Sequence, residues 1–78
     1  MEQKRTYTIM IQGYIGVGAG RDPHERKMTT TCTKAELDNI AKVWLMEYNN
    51  KYDFVCCIAN EGDYVDNRNW SIMYQDCM

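Results

Sequence analysis

The chain has 78 residues, with nine Lys and Arg against eleven Asp and Glu, a formal net charge of -2 and a pI near 5.2. A chain of this length forms a single domain, residues 1–78, with a small core. The balanced charge disfavours nucleic acid as a partner, because phosphate binding needs a basic patch. No apolar stretch approaches the roughly 20 residues of a membrane span, and the N-terminus lacks a signal-peptide pattern. We therefore expect a cytoplasmic protein without a membrane partner.

The first predicted element is a strand of strictly alternating residues. Because alternate side chains of a strand share a face, one face is apolar, and Gly13 interrupts it. A straight strand over residues 6–20 would extend roughly 50 Å, which exceeds the roughly 30 Å diameter of such a domain. The sequence therefore predicts a bend at Gly13 and a hairpin tip that exposes bare backbone at Gly16, Gly18 and Gly20. The apolar face consists of Tyr7, Ile9, Ile11, Ile15, Val17 and Ala19.

A turn over residues 21–24 and a threonine-rich strand over residues 25–32 follow. Thr33 and Glu36 then form a capping-box pattern, which is typical of a helix start. Apolar residues recur after it at helical spacing, so we predict a helix over about 34–49. Its core-facing stripe comprises Leu37, Ile40, Ala41, Trp44, Leu45 and Tyr48, of which Trp44 and Tyr48 are interpreted as core residues.

The last third of the chain predicts a hairpin. Residues 52–59 are rich in strand-forming residues, residues 60–63 break that run, and residues 69–75 alternate again. The predicted fold class is α+β, with one helix packed on a small, mainly antiparallel four-stranded sheet in the order β-β-α-β-β.

The four cysteines are expected to be buried or half-buried free thiols, as is usual for a cytosolic protein. The adjacent Cys56 and Cys57 should point to opposite faces of their strand, and Cys32 and Cys77 stand alone. Together with His24 they show none of the spacings typical of metal ligands. We therefore expect neither a metal nor another cofactor.

The glycine segment suggests a phosphate site, because successive backbone amides can bind an anion. The motifs do not match. A dinucleotide-binding pattern that starts at Gly16 would need glycine where Arg21 stands, and a P-loop pattern from Gly13 would need Lys where Ala19 stands. Both motifs also require a helix directly after the loop, whereas a strand is predicted here. A nucleotide role is therefore the alternative rather than the main interpretation.

The main interpretation is a small non-catalytic protein-binding or inhibitor protein that acts through the glycine-rich bent hairpin. In size and in its lack of a catalytic motif, the chain resembles the small inhibitors that phages use against bacterial defence systems. That resemblance implies a protein partner and transfers no site residues. The predicted partner-binding residues are Tyr14, Gly16, Gly18, Gly20, Arg21, His24, Arg26 and Tyr64.

Three other hypotheses remain open at this stage. In the alternative function, the amides of Gly16 to Gly20, with Arg21, His24 and Arg26, bind or sequester a small nucleotide. A small enzyme ranks last, because no carboxylate or histidine is marked as an acid, base or nucleophile. A homodimer is the third, since an uncovered sheet edge readily pairs with its own copy.

Overall fold

The computed structural model describes residues 3–16, 24–62 and 71–75. Its strands follow the order β2-β1-β3-β4, and every neighbouring pair is antiparallel. This is the predicted α+β fold, with the helix between the second and third strands and with the predicted helix boundaries. The elements are β1 (Arg5–Tyr14), β2 (His24–Cys32), α1 (Lys34–Asn49), β3 (Phe54–Glu61) and β4 (Ile72–Gln75).

The helix begins at the predicted capping box. The Thr33 hydroxyl accepts a hydrogen bond from the Glu36 amide at 3.2 Å, and the Glu36 carboxylate accepts one from the Thr33 amide at 3.1 Å. These reciprocal bonds satisfy donors that the first helical turn leaves without partners. The helix then covers one face of the sheet, as the apolar spacing predicts. The buried core comprises Tyr7, Ile9, Ile11, Cys32, Leu37, Ala41, Trp44, Val55, Cys57 and Ala59.

Gly13 does not bend the first strand, so that prediction is wrong. Strand β1 continues through Gly13, which pairs with His24 on one side and with Val55 on the other. The glycine is required for a different reason. A Cβ atom at this position would overlap Cδ2 and Cγ of the Tyr52 ring. The Tyr52 ring therefore packs directly on the β1 backbone, where only glycine leaves room.

The strand ends differ from the predicted ones. β1 stops at Tyr14, and Ile15, which was expected on the apolar face, is 60% exposed. His24 is the first residue of β2 rather than part of a turn. Asn60 was expected to break β3 but lies inside it, because its buried side chain accepts hydrogen bonds from the amide and hydroxyl of Ser71. Most of the predicted hairpin tip, residues 17–23, lies outside the described residues.

The two adjacent cysteines point to opposite faces, as expected. Cys57 is a free thiol in the core under the helix, and Cys32 is also free. The free-thiol prediction is wrong for Cys56, which is disulfide-bonded. Cys56 and Cys57 are adjacent in the sequence but differ in redox state, because their side chains face different surroundings. Cys77 lies outside the described residues.

A polar cluster attaches β4 to the start of the helix. The Asp38 carboxylate accepts hydrogen bonds from Lys34 Nζ at 2.7 Å and from the Tyr74 hydroxyl at 2.9 Å. The hydrogen bond from Lys34 lowers the pKa of Asp38 and raises that of Lys34. Burial, with the bond to Asp38, raises the pKa of Tyr74 to about 12. The cluster is therefore most stabilising when Asp38 is ionised, Lys34 is charged and Tyr74 is neutral.

Replacement of Asp38 by asparagine tests this cluster. The pKa of Asp38 is lower in the folded chain, so its contribution to stability is present above its ordinary value of 3.8 and is lost as the pH falls through the folded value. We expect Asp38→Asn to be less stable than the wild type at neutral pH and to lose less stability below pH ~4. Urea unfolding across pH measures this. Glu25→Gln is the control variant. If the free energy of unfolding of Asp38→Asn changed with pH in parallel with that of the wild type, this expectation would be contradicted.

Replacement of Gly13 tests the close packing of Tyr52. We expect Gly13→Ala to lower the free energy of unfolding by about 1–3 kcal/mol, because the added methyl group overlaps the Tyr52 ring. In a Tyr52→Ala background the same substitution should cost less, since of the tight contacts only the one with Tyr48 Cδ2, at 3.0 Å, remains. Denaturant unfolding of the four proteins gives the coupling energy. Equal costs in both backgrounds would show that Tyr52 is not the reason for the glycine.

Candidate functional site

The structure describes half of the predicted partner-binding residues. Tyr14, Gly16, His24 and Arg26 lie within the described chain. Gly18, Gly20, Arg21 and Tyr64 lie outside the described residues, so their predicted roles stay predictions.

The backbone after β1 is held by Asp53. The Asp53 amide donates to the Tyr14 carbonyl at 2.9 Å, and the Asp53 carboxylate accepts the Gly16 amide at 2.7 Å. Gly16 has a φ of +74°, which favours glycine. The Tyr14 hydroxyl donates to the Gln12 side chain at 3.2 Å. Thus the first amide of the predicted anion-binding segment already has a carboxylate as its partner.

His24 and Arg26 both project over the helix side of the sheet and contact aromatic rings. The His24 ring stacks on Tyr52, with centroids 5.0 Å apart and an interplanar angle of 25°. The Arg26 guanidinium lies 4.6 Å from the centre of the Trp44 ring and 3.5 Å from the Glu47 carboxylate. The ion pair is more than half exposed and contributes little by itself, whereas the contact with the ring fixes where the guanidinium lies.

Beside Arg26 lies an apolar hollow between the helix and the edge strand, which we call the α1–β2 hollow. Its volume is about 280 Å³. One side of Trp44 forms part of its wall, while Val43 on its rim is 57% exposed and the nearby Met46 is 64% exposed. Exposed apolar surface beside a concave site is typical of a contact surface for another molecule. The lining residues are Met28, Asn39, Ile40, Val43 and Trp44.

Sequence reasoning did not select the hollow. Met28 was assigned only to a strand, and Val43 and Met46 were left out of the core-facing stripe without further use. The signal was nevertheless present, because an apolar residue that does not fit the buried stripe of a helix is left at the surface. The position of β2 relative to the helix, which makes the surface concave, was not visible in the pattern.

Neither free cysteine among the described residues, Cys32 or Cys57, is a reactive nucleophile. Burial raises the pKa of the Cys57 thiol to about 12, and burial is also the main cause of the raised pKa of Cys32. Such thiols are protonated at neutral pH and are poor nucleophiles. Across residues 3–16, 24–62 and 71–75, no three His, Cys, Asp or Glu side chains meet as metal ligands. In the same part of the chain, the helix is too short and too polar to cross a membrane.

No protein-family model matches the chain, and no curated protein and no solved structure is significantly similar to it.

Alkylation tests the state of the core thiol. We expect Cys57 to remain unmodified by iodoacetamide in the native protein at pH 8, because it is fully buried and its pKa is far above that pH. In 6 M guanidinium the same residue should react fully. Peptide mass spectrometry after each treatment gives the modified fraction at this position. Rapid native labelling of Cys57 would show that the core opens or that the thiol is activated.

Proposed function

We propose that this chain is a small non-catalytic protein-binding domain of the inhibitor type, and that its partner inserts an apolar side chain into the α1–β2 hollow. The observation that supports this is the exposed apolar rim at Val43 beside a wall of Trp44. Leaving such groups in water is unfavourable by roughly 25 cal/mol for each Å² of apolar surface, and a partner protein that covers them recovers that free energy.

Charged groups at one end of the hollow supply orientation. Arg26 lies against the Trp44 ring that forms the wall, and its guanidinium also forms an ion pair with the Glu47 carboxylate. An apolar hollow with a charged rim resembles the general arrangement of protein interfaces, in which a desolvated centre is surrounded by polar groups. His24 extends this rim toward the end of the sheet at which the glycine-rich hairpin begins. The predicted hairpin residues Gly18, Gly20 and Arg21 lie outside the described residues, and their part in binding stays a prediction.

The same geometry favours a protein over a nucleotide. A phosphate group needs unpaired backbone amides or cations, but the Gly16 amide donates to the Asp53 carboxylate and Arg26 lies next to Glu47. Either carboxylate would repel an anion at close range. The hollow itself is lined mainly by hydrocarbon, which suits an aliphatic or aromatic side chain.

Replacement of Val43 by glutamate tests the proposal. Because Val43 is more than half exposed on the helix, the variant should fold, but a carboxylate on the rim opposes entry of an apolar group. The matched control is Lys42→Gln, which changes the net charge by the same one unit on an exposed helical residue that does not line the hollow. Quantitative affinity purification from the native host should recover a protein with wild type and Lys42→Gln, and at least tenfold less of it with Val43→Glu.

Two results would contradict the proposal. The first is an identical set of recovered proteins for all three baits, which would place any contact elsewhere. The second is a concentration-dependent rise in melting temperature with a nucleotide and no protein that depends on Val43. A nucleotide at 100 times its dissociation constant should add roughly 2.7 kcal/mol of stability, which a thermal shift detects readily.

A further inference from the structure

The covalent partner of Cys56 follows from the states of the other cysteines. Cys56 is disulfide-bonded, while Cys32 and Cys57 are free thiols. The sequence contains four cysteines, and the fourth is Cys77, which lies outside the described residues. Within the chain, elimination therefore leaves Cys77 as the partner of Cys56.

The register of the sheet separately excludes Cys32. Cys32 pairs with Arg5 at the start of β1. Cys56 pairs with Gln12, seven residues further along the same strand. Seven residues correspond to roughly 23 Å along a strand, whereas the Cα atoms of a disulfide lie about 4.4–6.8 Å apart. Cys57 is also unsuitable, because it belongs to the core and adjacent residues of a strand point to opposite faces.

The same register directs the end of β4 toward Cys56. Cys57 pairs with Gln75, and the two strands are antiparallel, so β4 at Gln75 is directed toward the residues that precede Cys57. The Gln75 side-chain amide donates a hydrogen bond of 3.0 Å to the Val55 carbonyl, which holds the end of β4 at the residue before Cys56. Cys77 is two residues further on, and two residues of extended chain span about 7 Å. Cys77 is therefore within reach of Cys56.

We infer that Cys56 and Cys77 form a disulfide, and that this bond makes the attachment of β4 to the sheet depend on redox state. The bond forms when the two thiols lose two protons and two electrons. A low-molecular-weight disulfide, such as oxidised glutathione, accepts them and is cleaved to two thiols. A dithiol reductant reverses the reaction by the same exchange and is itself oxidised to a disulfide.

Strand β4 is short and lies at the edge of the described sheet, so a cross-link near its end matters to it. It has four residues, and its register with β3 is irregular between Cys57 and Ile58. Tyr74 and Gln75 bond to the helix, but Met73 is 57% exposed. Segments with few buried apolar contacts open locally at low cost in free energy. A disulfide opposes such opening because it restricts the open chain.

Peptide mapping of the wild type tests the pairing. The protein is treated with oxidised glutathione, its free thiols are blocked with iodoacetamide in 6 M guanidinium without reductant, and it is digested with trypsin. Trypsin places Cys56 and Cys77 on different peptides, because Arg68 lies between them. We expect two blocked thiols per chain, at Cys32 and Cys57, and a reducible link between the other two cysteines. Four blocked thiols, or a link from Cys56 to another cysteine or to a second chain, overturns the inference.

Hydrogen exchange tests the effect of the bond on β4. Wild type is reduced in 6 M guanidinium and refolded with reductant present, and we expect its β4 amides to exchange at least about tenfold faster than in the oxidised protein. Cys77→Ser is the matched control, and circular dichroism checks that it folds. Because it cannot form the bond, it should exchange like the reduced wild type with or without reductant.

Two results of the exchange experiment would overturn the inference. The first is β4 exchange that is the same in the oxidised and the reduced wild type. The second is an equal effect of the reductant on Cys77→Ser, which would show that another group responds to it. Neither result bears on the capture of a partner through Val43, which lines the hollow on the β2 side of the helix. The two proposals therefore fail separately.

Discussion

A single helix has to cover a sheet that is wider than itself. An α-helix with its side chains is about 10–12 Å across, whereas four strands at about 4.8 Å spacing present a broader surface. Helix α1 lies over the central strands β1 and β3, where its buried residues Leu37, Ala41 and Trp44 meet the core. Both flanks of the helix therefore face an outer strand across a gap. How each gap is filled determines which parts of the molecule are rigid and which are exposed.

The two flanks are filled differently. Toward β4, Tyr74 reaches the helix and joins Lys34 and Asp38 in a hydrogen-bonded cluster. Toward β2, the Arg26 guanidinium lies over the Trp44 ring, and Met28 is only partly buried against the core. The apolar hollow is what remains on that side. The polar flank ties β4 to the helix, and the apolar flank leaves the hollow that we propose as a contact surface, so one geometrical mismatch accounts for both.

The sequence predicted the features that depend on local spacing. The helix boundaries, the Thr33–Glu36 capping box and the apolar faces of β1 and α1 follow from periodicity and from short-range hydrogen bonds. The errors concern contacts between distant segments. The pattern marks Gly13 as an exception on the apolar face. The ring that requires a glycine there belongs to Tyr52, which lies in the segment between α1 and β3, far from Gly13 in the sequence. Asn60 stays in its strand because Ser71 satisfies its side chain.

The hydrogen bond between Thr8 and Thr29, which links β1 to β2, has a fixed direction. A hydroxyl carries one hydrogen, and Thr8 uses its hydrogen for the Gly62 carbonyl at 2.7 Å. In the 3.0 Å contact between Thr8 and Thr29, the hydrogen must therefore come from Thr29. The orientation of a hydroxyl on the outermost strand is thus set two strands away, at the end of β3. On the face of the sheet opposite the helix, the hydrogen bonds therefore run in one direction, from the Thr29 hydroxyl to the Thr8 hydroxyl and from there to the Gly62 carbonyl.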